Sequence, residues 1–116
     1  MALVSALAVG LGGAAGALAR YGVGQAVDGR GLDTLAVNVL GSFAIGVLLA
    51  SGLGETALLA GAVGFCGAFT TFSSFAVETV RLAEDGETSV AAANAVGTLL
   101  LALLAVLAGT AVGGFL

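Results

Sequence analysis

The three arginines and seven acidic residues of this chain are placed so that residues 1–19, 34–54, 56–77 and 88–116 carry no charge at all. A helix that crosses a bilayer needs about 20 mainly apolar residues. Each uncharged stretch has that length. The chain has 116 residues, is 59% hydrophobic and only 9% charged, whereas soluble domains carry roughly 25% charged residues. An all-α integral membrane protein follows, with helices expected over about residues 4–27, 34–51, 56–82 and 89–113. These spans and their turns use nearly the whole chain as one four-helix unit. The first residues lack the positive n-region of a secretory signal, so Val4 onward is read as the first span.

Composition removes several classes of function. There is no His and a single Cys, Cys66. Metal clusters, Cys/His nucleophilic pairs and internal disulfides are therefore not expected, and Cys66 is read as a small apolar packing residue. A net charge of -4 offers no attraction for nucleic acid. No enzymatic constellation or nucleotide site is visible.

Four spans put both termini on one side and the turns at 28–33 and 83–88 on the other. That second side holds Arg30 and Arg81, and the first holds no Lys or Arg. The positive-inside rule makes the arginine side cytoplasmic. A bias of two arginines, accompanied by acids, is also compatible with insertion in both orientations, and charge alone leaves the two readings open.

The third span is interrupted. Residues 61–78 read GAVGFCGAFTTFSSFAVE, small and apolar first, then crowded with hydroxyls and phenylalanines. Irregular backbone at membrane depth is tolerated only where protein buries it or it lines a wet cavity. With no Pro in the chain, the break must come from Gly and hydroxyl residues. Phe72 and Phe75 are spaced i, i+3 and so share a face. Their positive ring edges suit a small bare anion; ordinary packing or lipid contact is the alternative reading.

Polar residues recur at one depth. Arg20, Asn38, Glu78 and Asn94 all fall toward the arginine-bearing side of their spans. Buried membrane charge is expensive and functional by default. These four can satisfy one another, and they are read as both a clamp stitching the bundle together and a vestibule drawing in a small anion. Thr34, Asn38 and Ser42, and separately Asn94 and Thr98, form i, i+4 stripes that suit a narrow polar track or interhelical hydrogen bonds. Gly12 and Gly16 form a GxxxG pattern, which lets helices approach closely.

Three stretches carry a resemblance. GGAAGALARY (Gly12 to Tyr21), TLAVNVLGSFAIG (Thr34 to Gly46) and GFCGAFTTFSSF (Gly64 to Phe75) resemble the GGxxGAxxRY, TLxVNxxGSFxxG and GxxGGxTTFSTF patterns of the Fluc/CrcB family of fluoride channels, in the family's order and over nearly the whole chain. The resemblance implies a multi-pass protein of the cell membrane, a passive channel that exports fluoride and limits its toxicity. It implies an antiparallel, dual-topology dimer with two pores. It also implies a structural sodium ion at the dimer centre, held by the backbone carbonyls of Gly67 and Thr70 from each subunit. Asn38, Phe72, Phe75, Ser74 and Thr98 match pore positions, and Arg20 matches the first-span arginine.

Four positions depart from the pattern: Ala68 for Gly, Ser74 for Thr, Asn94 where an aromatic hydroxyl is common, and Ala102 at a later Ser-like position. The second subunit is therefore either a copy of this chain or a paralogue. A non-conducting or regulatory partner subunit is the alternative function. A small multidrug-type exporter is less well supported, because the first span carries Arg20 and no carboxylate.

Overall fold

A computed structural model describes residues 2–29 and 31–116. Met1 and Arg30, the latter one of the two arginines behind the charge-bias expectation, lie outside the described residues. Among the described residues, four helical segments are long and apolar enough to cross a membrane. Helix α1 is Ala2–Ala26 and α2 is Leu32–Ala50. The third span, Glu55–Glu84, is two half-helices. The first, α3, starts as an α-turn at Glu55–Leu58, widens into a π-helix over Leu59–Cys66 and closes with Gly67–Phe69. The second, α4, is Phe72–Glu84, and α5 is Thr88–Gly113. The chain is thus an all-helical, multi-pass membrane protein with its third span broken.

Small residues set the packing. A β-carbon on Gly12 would run into the Ala60 carbonyl, and one on Gly16 into the Phe65 carbonyl. On the other side of the bundle, Gly109 lies against the Phe43 carbonyl and Gly113 against the Val47 carbonyl. In both pairs the contacts advance together along the two helices. So α1 runs parallel to α3, and α2 runs parallel to α5, the arrangement of an up-down-up-down bundle. Lipid tails are as apolar as leucine, so close backbone approach and interhelical hydrogen bonds, with no net gain from hiding apolar side chains, hold such helices together. Accordingly the outward faces are apolar, with Leu7, Leu11, Leu18, Leu104 and Leu107 all exposed, while Val37, Ala62, Cys66, Phe69 and Ala91 form the small core.

The turn from α4 to α5 shows why the acidic stretch does not extend the helix. Gly86 takes φ +82°, a left-handed conformation that costs glycine little. Its N–H bonds the Ala83 carbonyl at 3.1 Å, and the Glu87 N–H bonds the Leu82 carbonyl at 2.9 Å. This pair of bonds is a Schellman cap; it reverses the chain within a few residues.

Replacing Gly16 by alanine is expected to force α1 away from α3. Overpacking of a close contact costs about 1–3 kcal/mol. Gly13→Ala is the internal comparison, because its β-carbon would meet the Gly64 oxygen at an ordinary 3.7 Å. Thermal unfolding in detergent should show a lowered midpoint for the first variant and little change for the second.

Candidate functional site

The break in the third span is made by side chains that take hydrogen bonds away from the helix. Thr70 has φ -82° and ψ 161°, and Thr71 has φ -148° and ψ 115°. Both are extended. In a continuous helix the Thr71 N–H would bond the Gly67 carbonyl. Here it donates to Asn38 Oδ1 at 2.7 Å, and Asn38 Nδ2 returns a bond to the Thr71 carbonyl at 3.0 Å. The Ser74 N–H would likewise reach the Thr70 carbonyl. Instead it donates to Thr71 Oγ1 at 3.1 Å, an N-cap for α4. The Thr70 hydroxyl donates back to the Cys66 carbonyl at 2.8 Å. One asparagine on α2 and one threonine hydroxyl therefore divert the two amide protons that would have served Gly67 and Thr70.

Helix α2 can deliver Asn38 because Gly41, one turn on, leaves room for Thr70; a β-carbon there would strike the Thr70 methyl. Ser42 folds its hydroxyl onto the Asn38 carbonyl at 2.6 Å, turning that part of the polar stripe back onto its own helix.

Next to the break lies a cavity of about 400 Å³ whose wall includes Asn38, Ser42, Thr70, Phe72, Phe75 and Thr98. Phe72 and Phe75 stand 5.8 Å apart between ring centroids, tilted by 53°. Thr98 is buried and Phe72 is 80% exposed, so the cavity runs from the interior of the bundle to its open side. Beyond Thr98 the wall turns apolar, with Ile45, Leu99 and Ala102.

A second cleft, of about 260 Å³, lies on the other side of the break and is lined by Arg20, Asp33, Thr34, Val37, Thr71 and Ser74. Arg20 Nη1 reaches the Thr70 carbonyl at 3.4 Å. A guanidinium there faces the carbonyl end of α3, where the helix dipole is negative. The N–H end of α4 begins just beyond, where the dipole is positive. The break thus sets a cation-favouring and an anion-favouring terminus back to back within a few residues.

The structure gathers Asn38, Phe72, Phe75 and Thr98 around one cavity and places Ser74 in the other, beside Arg20. Gly67 and Thr70 line the same cavity as Asn38, Phe72, Phe75 and Thr98; Gly67 is exposed at its open side, where a β-carbon would meet nothing within 4 Å. Among the described residues, no hydrogen bond joins Arg20, Asn38, Glu78 or Asn94 to another of the four. Arg20, Asn38 and Asn94 each reach a partner in the third span instead: Arg20 to Thr70, Asn38 to Thr71 and Asn94 to Thr79. The reason is supply, since a broken helix offers backbone and hydroxyl partners at that depth. Glu78 sits behind Gly31 at the start of α2, its Oε2 3.6 Å from where a β-carbon would be, a favourable place for a carboxylate beside a helix N-terminus. Thr79 does not stand out in the amino-acid sequence. Its spacing of four from Phe75 was the available signal.

The family model described as CrcB-like protein, Camphor Resistance (CrcB), matches residues 7–110. This chain belongs to the CrcB family. Within it, the chain is 63% identical over 116 residues, all of both chains, to a protein of Natronomonas pharaonis named Fluoride-specific ion channel FluC 2. It is 54% identical over 109 residues, 91% of each chain, to the FluC 2 protein of Haloarcula marismortui. It is also 49% identical over 106 residues to the FluC 1 protein of that organism, covering 87% of this chain and 79% of the relative. Membership of the CrcB family over nearly the whole length covers the segments that carry the break, the aromatic pair and both clefts.

Proposed function

We propose that this chain is a fluoride-selective passive ion channel of the cell membrane, and not an enzyme. The observation that carries the reading is the cavity that brings Asn38, Phe72, Phe75 and Thr98 together beside a helix break. A fluoride ion gives up a strongly held hydration shell only if the pore replaces it. Ring edges supply positive quadrupole, the threonine hydroxyl and the second Nδ2 proton of Asn38 supply donors, and the N–H end of α4 adds a positive dipole. Arg20 in the neighbouring cleft raises the local concentration of anions. Relatives named as fluoride-specific channels support the same reading.

Fluoride enters cells as the neutral acid, ionises inside and is then held there as an anion. A negative-inside potential drives it out through any selective pore, with about 2.3 kcal/mol per charge for each 100 mV. No other energy source is required. Vesicles reconstituted with the purified chain and loaded with fluoride should empty on addition of a potassium ionophore, as read by a fluoride electrode. Chloride efflux from matched vesicles should stay at the level of protein-free vesicles, and equal flux of the two halides would overturn the reading.

Two further parts belong to it. The exposed Phe72 and the open side of the cavity fit a second subunit, antiparallel to the first, that closes each pore. The carbonyls of Gly67 and Thr70, deprived of their helical N–H partners, are chemically suited to a hard monovalent cation. Two copies would offer four such oxygens to a sodium ion at the dimer centre. Sodium, when bound, neutralises the carbonyl ends of the two α3 half-helices.

A second reading has one observation in its favour: Ile45, Leu99 and Ala102 leave the far end of the cavity without a hydroxyl. In that reading the chain conducts only beside a paralogous subunit that supplies the missing polar group. The presence of FluC 1 and FluC 2 relatives in Haloarcula marismortui fits a paired arrangement. Efflux from vesicles holding this chain alone separates the two.

A further inference from the structure

The geometry points to Asn94 and Thr79 as a gauge that sets the width of the passage between Phe75 and Thr98, with Asn94 acting as a positioning residue and not as an ion ligand. This inference rests on the channel reading above and extends it to a position where the sequence departs from the family pattern.

The hydrogen bonds have an assigned direction. The Thr79 hydroxyl donates to the Phe75 carbonyl at 2.9 Å, one turn back on α4. Its single proton is then used. Asn94 Nδ2 lies 2.9 Å from the same oxygen and must be the donor to it. A chain of two bonds therefore runs from α5, through Thr79, to the backbone of the residue that carries the Phe75 ring. In series such bonds polarise and strengthen each other.

The other end of the gauge is on α5. Thr98 lies one turn beyond Asn94, on the same face, and lines the same cavity as Phe75. Tying Asn94 to Thr79 therefore fixes the first turns of α4 against the Thr98 level of α5. Asn94 and Thr79 do not line the cavity themselves. Among the described residues, neither half-helix end at the break hydrogen-bonds to α5, so this relay is the polar tie between α4, which carries the aromatic pair, and the helix that carries Thr98.

The test is a double-mutant cycle on the full chain in vesicles. Asn94→Leu removes the donor at nearly constant volume, Thr79→Val removes the hydroxyl, and Thr79→Ser keeps it. Interhelical hydrogen bonds in membranes are worth enough to change a rate by about threefold to fifteenfold. Fluoride efflux is expected to fall by that factor in Asn94→Leu and in Thr79→Val, to fall no further in the double variant, and to be kept in Thr79→Ser. Hydrogen exchange of the amides at 75–79, which does not depend on conduction, is expected to accelerate in both single variants and equally in the double. Additive losses, or wild-type efflux and exchange in Thr79→Val, would overturn the gauge. A wild-type chain that carries no fluoride would overturn the channel reading instead, and amide exchange would still decide whether the tie exists.

Discussion

Replacing Phe75 by alanine is expected to lower fluoride efflux by at least about a hundredfold, equivalent to about 2.7 kcal/mol added to the barrier, with the assembly state of the protein unchanged. The ring is partly buried, lines the cavity and meets Phe72 at 5.8 Å. In the proposed channel, its loss leaves a dehydrating anion without the ring edge that would replace water. Phe72→Ala is expected to act in the same direction. It is the cleaner variant for stability, because an 80% exposed ring contributes little packing within its own chain. Size-exclusion chromatography in detergent reports the assembly, and a fluoride electrode reports the flux. Wild-type efflux from both variants would make the two rings packing residues and remove the pore assignment.

Asn38→Leu is expected to abolish efflux for a different reason, by destroying the break itself. Asn38 holds both the N–H and the carbonyl of Thr71. A leucine of similar size leaves both groups without those partners, and each buried unsatisfied group costs about 1–3 kcal/mol. The cheapest relief is for the Thr71 N–H to return to the Gly67 carbonyl, which straightens the span and withdraws the carbonyl suited to a cation. Hydrogen exchange at Thr71, thermal stability and fluoride efflux should all change together. Asn38→Asp separates shape from chemistry: it keeps an acceptor for the Thr71 N–H and loses the donor to its carbonyl. It should fold and conduct poorly, because an added carboxylate in the passage repels the anion. An Asn38→Leu chain with wild-type efflux and a protected Thr71 amide would show that the break is imposed elsewhere.

Both variants act at residues that stood out in the amino-acid sequence, but for unequal reasons. Phe72 and Phe75 were legible because helical spacing alone puts them on one face, and the structure keeps that face. Asn38 was legible as the middle of the Thr34, Asn38, Ser42 stripe and as a match to a pore position. That its amide would be consumed on the Thr71 backbone was not, since this depends on Gly41 letting α2 close on the break. Ser74 shows the limit from the other direction. It belongs to the same motif as Phe75, yet its neighbour on α4 faces one cleft while Ser74 faces Arg20 in another. Adjacent helical residues differ by about 100° around the axis, so membership of a motif does not assign a side.

The number of membrane spans, the places where they turn and the location of the interruption were determined by sequence alone. Those features are additive transfer preferences along the chain: charge is excluded from hydrocarbon, and about 20 apolar residues are needed to cross it. What only the tertiary structure decided is which polar group meets which. The widened π-helical winding at Leu59–Cys66 shifts the phase of everything after it, so the periodicity used to assign faces does not carry through the third span. The partners of Arg20, Asn38 and Asn94 then depend on how closely neighbouring helices approach and at what rotation. Glycine contacts such as Gly16 on Phe65 and Gly109 on Phe43 set that approach. A hydrogen bond acts over about 3 Å, and residues 33 or 50 positions apart come within that distance only after the helices have packed.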